Sequence, residues 1–145
     1  MDFHTILLFI HITCFAAWFG TVLASLFLLK TLESRLTGTA LRAGEDALLL
    51  REFIKRETKV ADVAFIGVVM SGILLASFFY GWTIWVVVKS GLIVLQVALT
   101  MGYIIRAIQP LSYPCPPEMF RNWYRLFAIS LGMFALVLCV TFFLL

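Results

Sequence analysis

From Phe3 to Leu29 the chain runs for 27 residues without an Asp, Glu, Lys or Arg. At ~1.5 Å per residue, a helix of that length exceeds the ~30 Å hydrocarbon core of a bilayer. The stretch therefore predicts a transmembrane helix, and the rest of the chain must fold around it in lipid. Within it His4, His11, Trp18 and Ser25 recur at every seventh residue, which keeps them in a narrow sector of one helical face. Cys14 and Phe15 fall close to the same face, while Ala17, Gly20 and Ala24 lie toward the other side. Lipid gives a helix no reason to align two imidazoles, an indole and a hydroxyl. That face expects protein or a cofactor against it.

Composition agrees. Charged residues are 13% of the chain, about half the usual share in soluble domains, and the mean hydropathy is +1.05. At 145 residues the expectation is one all-α membrane domain. It should be an up-down four-helix bundle with adjacent helices antiparallel and spans at about 3–29, 60–80, 82–105 and 126–145. No basic residues precede the first run, and it is too long for a signal-peptide core, so it reads as a span rather than a cleaved leader.

The charges are concentrated. Lys30 to Lys59 holds seven Lys/Arg and five Asp/Glu, Arg106 to Arg125 holds three Lys/Arg and one Glu, and the termini and the connection near Gly81 hold no Lys or Arg. The positive-inside rule then places both charged loops in the cytoplasm and both termini outside. Interleaved acids in the long loop exclude a nucleic-acid footprint. Cys14, Cys115 and Cys139 lack metal-type C-x-x-C spacing, and Cys14 and Cys139 sit in apolar runs as small hydrophobes.

In Glu45–Lys59, Leu48, Leu49, Phe53 and Ile54 recur at helical spacing between charged residues. Two readings stand: an amphipathic helix lying on the cytoplasmic membrane surface, or an extension of the second span. The second span, Val60–Tyr80, carries the small pairs Gly67/Ser71 and Gly72/Ala76, which permit close helix approach, and Met70 near its middle. Asp62 near its cytoplasmic end suits pairing with loop cations or a proton-entry role. Gly81 makes a turn short enough to force the second and third spans into an antiparallel pair. In the third span Trp82, Lys89, Gln96 and Tyr103 form a second stripe of sevens, with Trp85 and Thr100 within about 40° of it. Four prolines, Pro110, Pro114, Pro116 and Pro117, exclude a regular helix from the loop between Arg106 and Arg125. The fourth span brings Gly132 and Met133 to mid-membrane.

An ammonium inside an apolar span costs a few kcal/mol, so Lys89 must face protein, cofactor or water, or else snorkel to the outer interface. His11 and Lys89 lie roughly 12 Å and 11 Å from the outer ends of their helices, so the stripes can meet at one level. A transmembrane His facing a bundle interior can hold haem iron through neutral imidazole. His4 is ~10 Å along the same helix, too far to share that iron. A second ligand would be Met70, Met133, neutral Lys89 or a residue of another chain. Equally open are His11 as hydrogen-bonded glue to Gln96, Thr100 or a carbonyl, and a His11/Lys89 pocket for an anionic or quinone-like substrate. The Cys115-Pro116 dipeptide within Ser112–Pro117 reads as part of a rigid turn, or as a thiolate haem site.

Ile10-His11-Ile12 with Ala17-Trp18-Phe19-Gly20 resembles the first helix of the HemJ-type protoporphyrinogen oxidases and the related CopD-like four-helix membrane families. Trp85-x-x-x-Lys89 with Met101-Gly102-Tyr103 resembles their third helix. Phe120-Arg121 and Tyr124-Arg125-Leu126-Phe127 resemble the start of their fourth. The resemblance implies a bacterial inner-membrane protein that carries haem b and oxidises protoporphyrinogen IX. It implies His11 as the haem-associated histidine and metal ligand and Lys89 as the catalytic lysine, while the stripes and spans themselves offer Trp18, Gln96, Met70 and Met133 as further cofactor-site candidates. Ile104 stands where that pattern continues with His, and Leu28-Leu29-Lys30 replaces its aromatic-proline-arginine turn, so the chain reads as a divergent member. The competing expectation is a non-catalytic accessory subunit, forming a homo-oligomer or joining a larger respiratory or photosynthetic complex.

Overall fold

The computed structural model describes residues 2–37, 43–107 and 117–143. Among them are four long helices: α1 (Phe3–Thr37), α2 (Ala43–Leu75), α3 (Ile84–Ala107) and α4 (Pro117–Phe143). Each is long and apolar enough to cross a bilayer. The chain is an all-α four-helix membrane protein.

The charged segment after residue 43 is not a separate surface helix. With no Gly or Pro between Glu45 and Ile66, nothing breaks the hydrogen-bonded ladder. It continues into the second span as one helix of 33 residues, about 50 Å long. The expected apolar stripe is not the buried face: Leu48, Leu49 and Phe53 are exposed like Arg51, Glu52, Lys55 and Arg56, and the residues that turn inward are Leu50, fully buried, and Ile54, half-buried. The expectation of no helix before Arg125 is also corrected. Pro117 is the first residue of α4, where a missing N–H costs nothing and its fixed φ suits the helix. The remaining prolines, Gly38 and Cys115 lie outside the described residues, and only the backbone of Tyr103 is described.

At its C-terminal end α2 widens into a π-helical turn, Ala76–Tyr80, and stops at Gly81. Gly81 has φ +72°, a backbone conformation open only to glycine at low cost. The short turn does not make α2 and α3 a close pair. The extensive packing is α1 on α2, then α3 on α4, then α1 on α4, and α2 and α3 approach each other at few points. The reason is visible in the small residues of α2, which α1 has taken. A methyl carbon built on Gly67 would lie 2.5 Å from Cys14 Sγ, and one on Gly72 would lie 3.2 Å from His11 Cε1.

Two apolar clusters hold the bundle. Leu29, Leu50, Phe120 and Phe127 join α1, α2 and α4 at the end carrying the charged segments. Trp18, Ala64 and Phe134 form the middle one, to which Ile93 is the contribution of α3.

Candidate functional site

The stripe on α1 meets α2 residue by residue. Going down α1 and up α2, His4 faces Tyr80, His11 faces Ser71 and Val68, and Ser25 faces Glu57. Seven-residue spacing on one helix thus becomes an antiparallel seam of polar pairs.

His11 is half-buried in this seam. Its Nδ1 lies 3.1 Å from the Val68 carbonyl and 3.0 Å from Ser71 Oγ. A carbonyl only accepts, so Nδ1 carries the proton and donates it. Ser71 Oγ in turn donates to the Gly67 carbonyl at 2.5 Å. The ring is therefore oriented by its Nδ1 side, and Nε2 makes no hydrogen bond with a described residue. A ring whose other nitrogen is tied to a backbone carbonyl is the usual arrangement of a metal-ligating histidine. The glue reading holds in part: His11 does link two helices, through Val68 and Ser71 rather than through Gln96 or Thr100, whose hydroxyl is spent on the Gln96 carbonyl of its own helix at 2.7 Å.

Above and below, the seam differs. At the start of α1 His4 Nε2 lies 2.9 Å from the Tyr80 hydroxyl, and the His4 ring meets Phe79 edge-on at 4.8 Å. Two turns below His11, Trp18 is buried edge-on against Phe134 at 4.6 Å and Phe65 at 5.1 Å. Phe15 and Phe19 complete an aromatic layer around Phe134. Trp18 is thus committed to packing, and this layer separates His11 from the Ser25–Glu57 pair. Ser25 Oγ donates to Glu57 Oε2, while Glu57 Oε1 is buried without a partner.

The second stripe is placed less completely. Lys89 is half-buried and makes no ion pair with a described residue. Gln96 is only 2% exposed, and its Oε1 has no hydrogen-bond partner. Met133 is half-buried beside Phe134, whereas Met70, 55% exposed, faces away from the seam. Met70 stands apart from His11. Asp62, the acid singled out near the membrane boundary, is exposed. Glu57 is the carboxyl that turns inward. Extending the seven-residue stripe to Ser25 and running α2 antiparallel from Ser71 would have found it. Among the described residues no three His, Cys, Asp or Glu side chains converge as a metal site.

The fold and this seam define a four-helix membrane protein with a polar histidine site in the half of the bundle that holds the start of α1 and the end of α2. No protein-family model, curated protein or solved structure matches the chain, so the HemJ-type resemblance stands on the residues that carry it.

Proposed function

We propose that the chain is a haem- or porphyrin-linked membrane redox protein, similar to the HemJ-type protoporphyrinogen oxidases. One observation carries this reading: His11 is anchored through Nδ1 to Val68 and Ser71, while its Nε2 makes no hydrogen bond with a described residue. In it, His11 Nε2 would hold the iron of haem b, and Ser71 and the Val68 carbonyl would keep the imidazole neutral at Nε2. Bound haem would supply one-electron chemistry. Lys89 would hold a carboxylate of the cofactor or of a porphyrin-like substrate, or pass a proton to it, and the buried Gln96 Oε1 would accept a hydrogen bond from that ligand. Trp18 and the aromatic layer would close the pocket floor against water.

Purification from haem-replete cells tests this. A Soret band and reduced α-band are expected, largely lost in His11→Ala and nearly intact in His4→Ala. A colourless wild-type protein would refute it. The site is placed toward the outer face of a bacterial inner membrane, with both termini outside, on the support of ten Lys/Arg in two segments. Cysteines introduced at Gly38 and Ser112 should then label only from the cytoplasmic side.

A second reading, the accessory or assembly subunit, draws support from α3. Only 6% of its most apolar stretch is buried, against 33% for α4, although it carries Lys89 and Gln96. Lys89→Met separates the two. Loss of cofactor or activity with assembly intact favours the redox protein; loss of partner association from a colourless protein favours the subunit.

A further inference from the structure

At the end of the bundle opposite His4, α1 and α4 enclose a cleft of about 400 Å³ lined by Leu26, Phe27, Lys30 and Tyr124. That volume is within the ~300–1,000 Å³ range of small-ligand sites. Its position is set by the sequence. Lys30 is the first charge after the uncharged run of α1, and Arg125 is the last before the uncharged run of α4. Antiparallel packing brings these two boundaries together, so the cleft straddles the edge of the hydrocarbon.

Its walls have two characters. Leu26 and Phe27 are apolar, and Phe27 is 64% exposed, so they offer a lipid-facing track. The rim is cationic. Lys30 is exposed, and Arg121 and Arg125, one helical turn apart and flanking Tyr124, are exposed as well. None of the three makes an ion pair with a described residue. Lys55, Arg56 and Lys59, by contrast, are exposed on α2 and do not line the cleft. An apolar track beside Lys30, with Arg121 and Arg125 on the neighbouring turn of α4, complements one ligand class, a phosphate head carrying an acyl chain.

We propose that this α1–α4 cleft binds one anionic phospholipid of the surrounding leaflet, its phosphate at Lys30, Arg121 and Arg125 and a chain along Leu26 and Phe27. The site is independent of the His11 region and of any haem bound there.

Native mass spectrometry of the detergent-solubilised full chain tests it, with phosphatidylglycerol, phosphatidylcholine and inorganic phosphate as probes. One phosphatidylglycerol should be retained in preference to phosphatidylcholine. Removing one interfacial charge is worth roughly a five-fold loss of affinity, expected for Lys30→Gln and again for Arg125→Gln. Lys55→Gln, elsewhere on the exposed face of α2, should leave retention unchanged. Equal retention of the two lipids, or equal weakening by Lys55→Gln, would show diffuse attraction and overturn the proposal. Displacement of the lipid by inorganic phosphate at comparable concentration would overturn the lipid assignment. Melting curves confirm that each variant is folded, and because Lys30 and Arg125 are both exposed, either serves if the other fails.

Discussion

The α1–α2 seam and the α3 helix carry stripes of the same period, yet they end in different states. In the seam His4, His11 and Ser25 each have a hydrogen-bond partner on α2, because Gly67, Ser71 and Gly72 let α1 close to contact distance, and only His11 Nε2 and Glu57 Oε1 are left over. In α3, Lys89 has no ion pair with a described residue, and the Gln96 side-chain oxygen is buried unsatisfied. Small residues decide the difference. On α2 they face the polar stripe of α1, whereas Gly91 on α3 has open space around it. The satisfied pairs are structural glue, and the groups left over, His11 Nε2 on α1 and Lys89 and Gln96 on α3, are where a ligand or partner is expected.

The largest test of this contrast is steric. Gly67→Leu must displace Cys14 and part α1 from α2, costing about 3 kcal/mol, while Gly91→Leu should change stability by less than about 0.5 kcal/mol. Unfolding in mixed detergent micelles measures both. Equal effects would erase the distinction between the two faces.

Gln96 comes next, with opposite sign. In the ligand-free protein, Gln96→Leu removes an orphaned buried acceptor and should stabilise by about 1–3 kcal/mol. The gain should shrink or reverse in protein purified with its natural ligand. A destabilised ligand-free variant would mean that Gln96 already has a structural partner. A smaller effect, about 1 kcal/mol of destabilisation, is expected for Ser71→Ala, which removes one of two acceptors at His11 Nδ1 and leaves the Val68 carbonyl. An unchanged melting temperature would show that Ser71 does not orient the ring.

Much of this architecture was legible in the residues. The uncharged run of α1, the concentrated Lys/Arg and the two stripes of sevens specify four spans and the faces that turn inward. The seven-residue stripe also indicated that His11 would meet protein or a cofactor, and its Nδ1 side meets α2. What the sequence left hidden depends on which helix takes the small residues of α2. Loop length favoured α3, because Gly81 is a short turn, but packing favoured α1, because the stripe of α1 is complementary to Gly67 and Gly72. For the same reason Asp62 drew attention that belongs to Glu57. Both are acids near a membrane boundary, and only the antiparallel register set by His11 and Ser71 turns Glu57 toward Ser25. Met70 shows the converse: mid-span depth was readable, but its outward direction follows from its neighbour Ser71 facing α1.

The central claim is that the seam fixes His11 with its proton on Nδ1 and presents Nε2. Solid-state ¹⁵N NMR of histidine-labelled protein in lipid reads this directly, with His4→Gln leaving His11 as the only histidine. The account predicts a hydrogen-bonded Nδ1–H, with Nε2 either unprotonated or shifted by iron where haem is retained. A neutral ring protonated at Nε2 instead would contradict it.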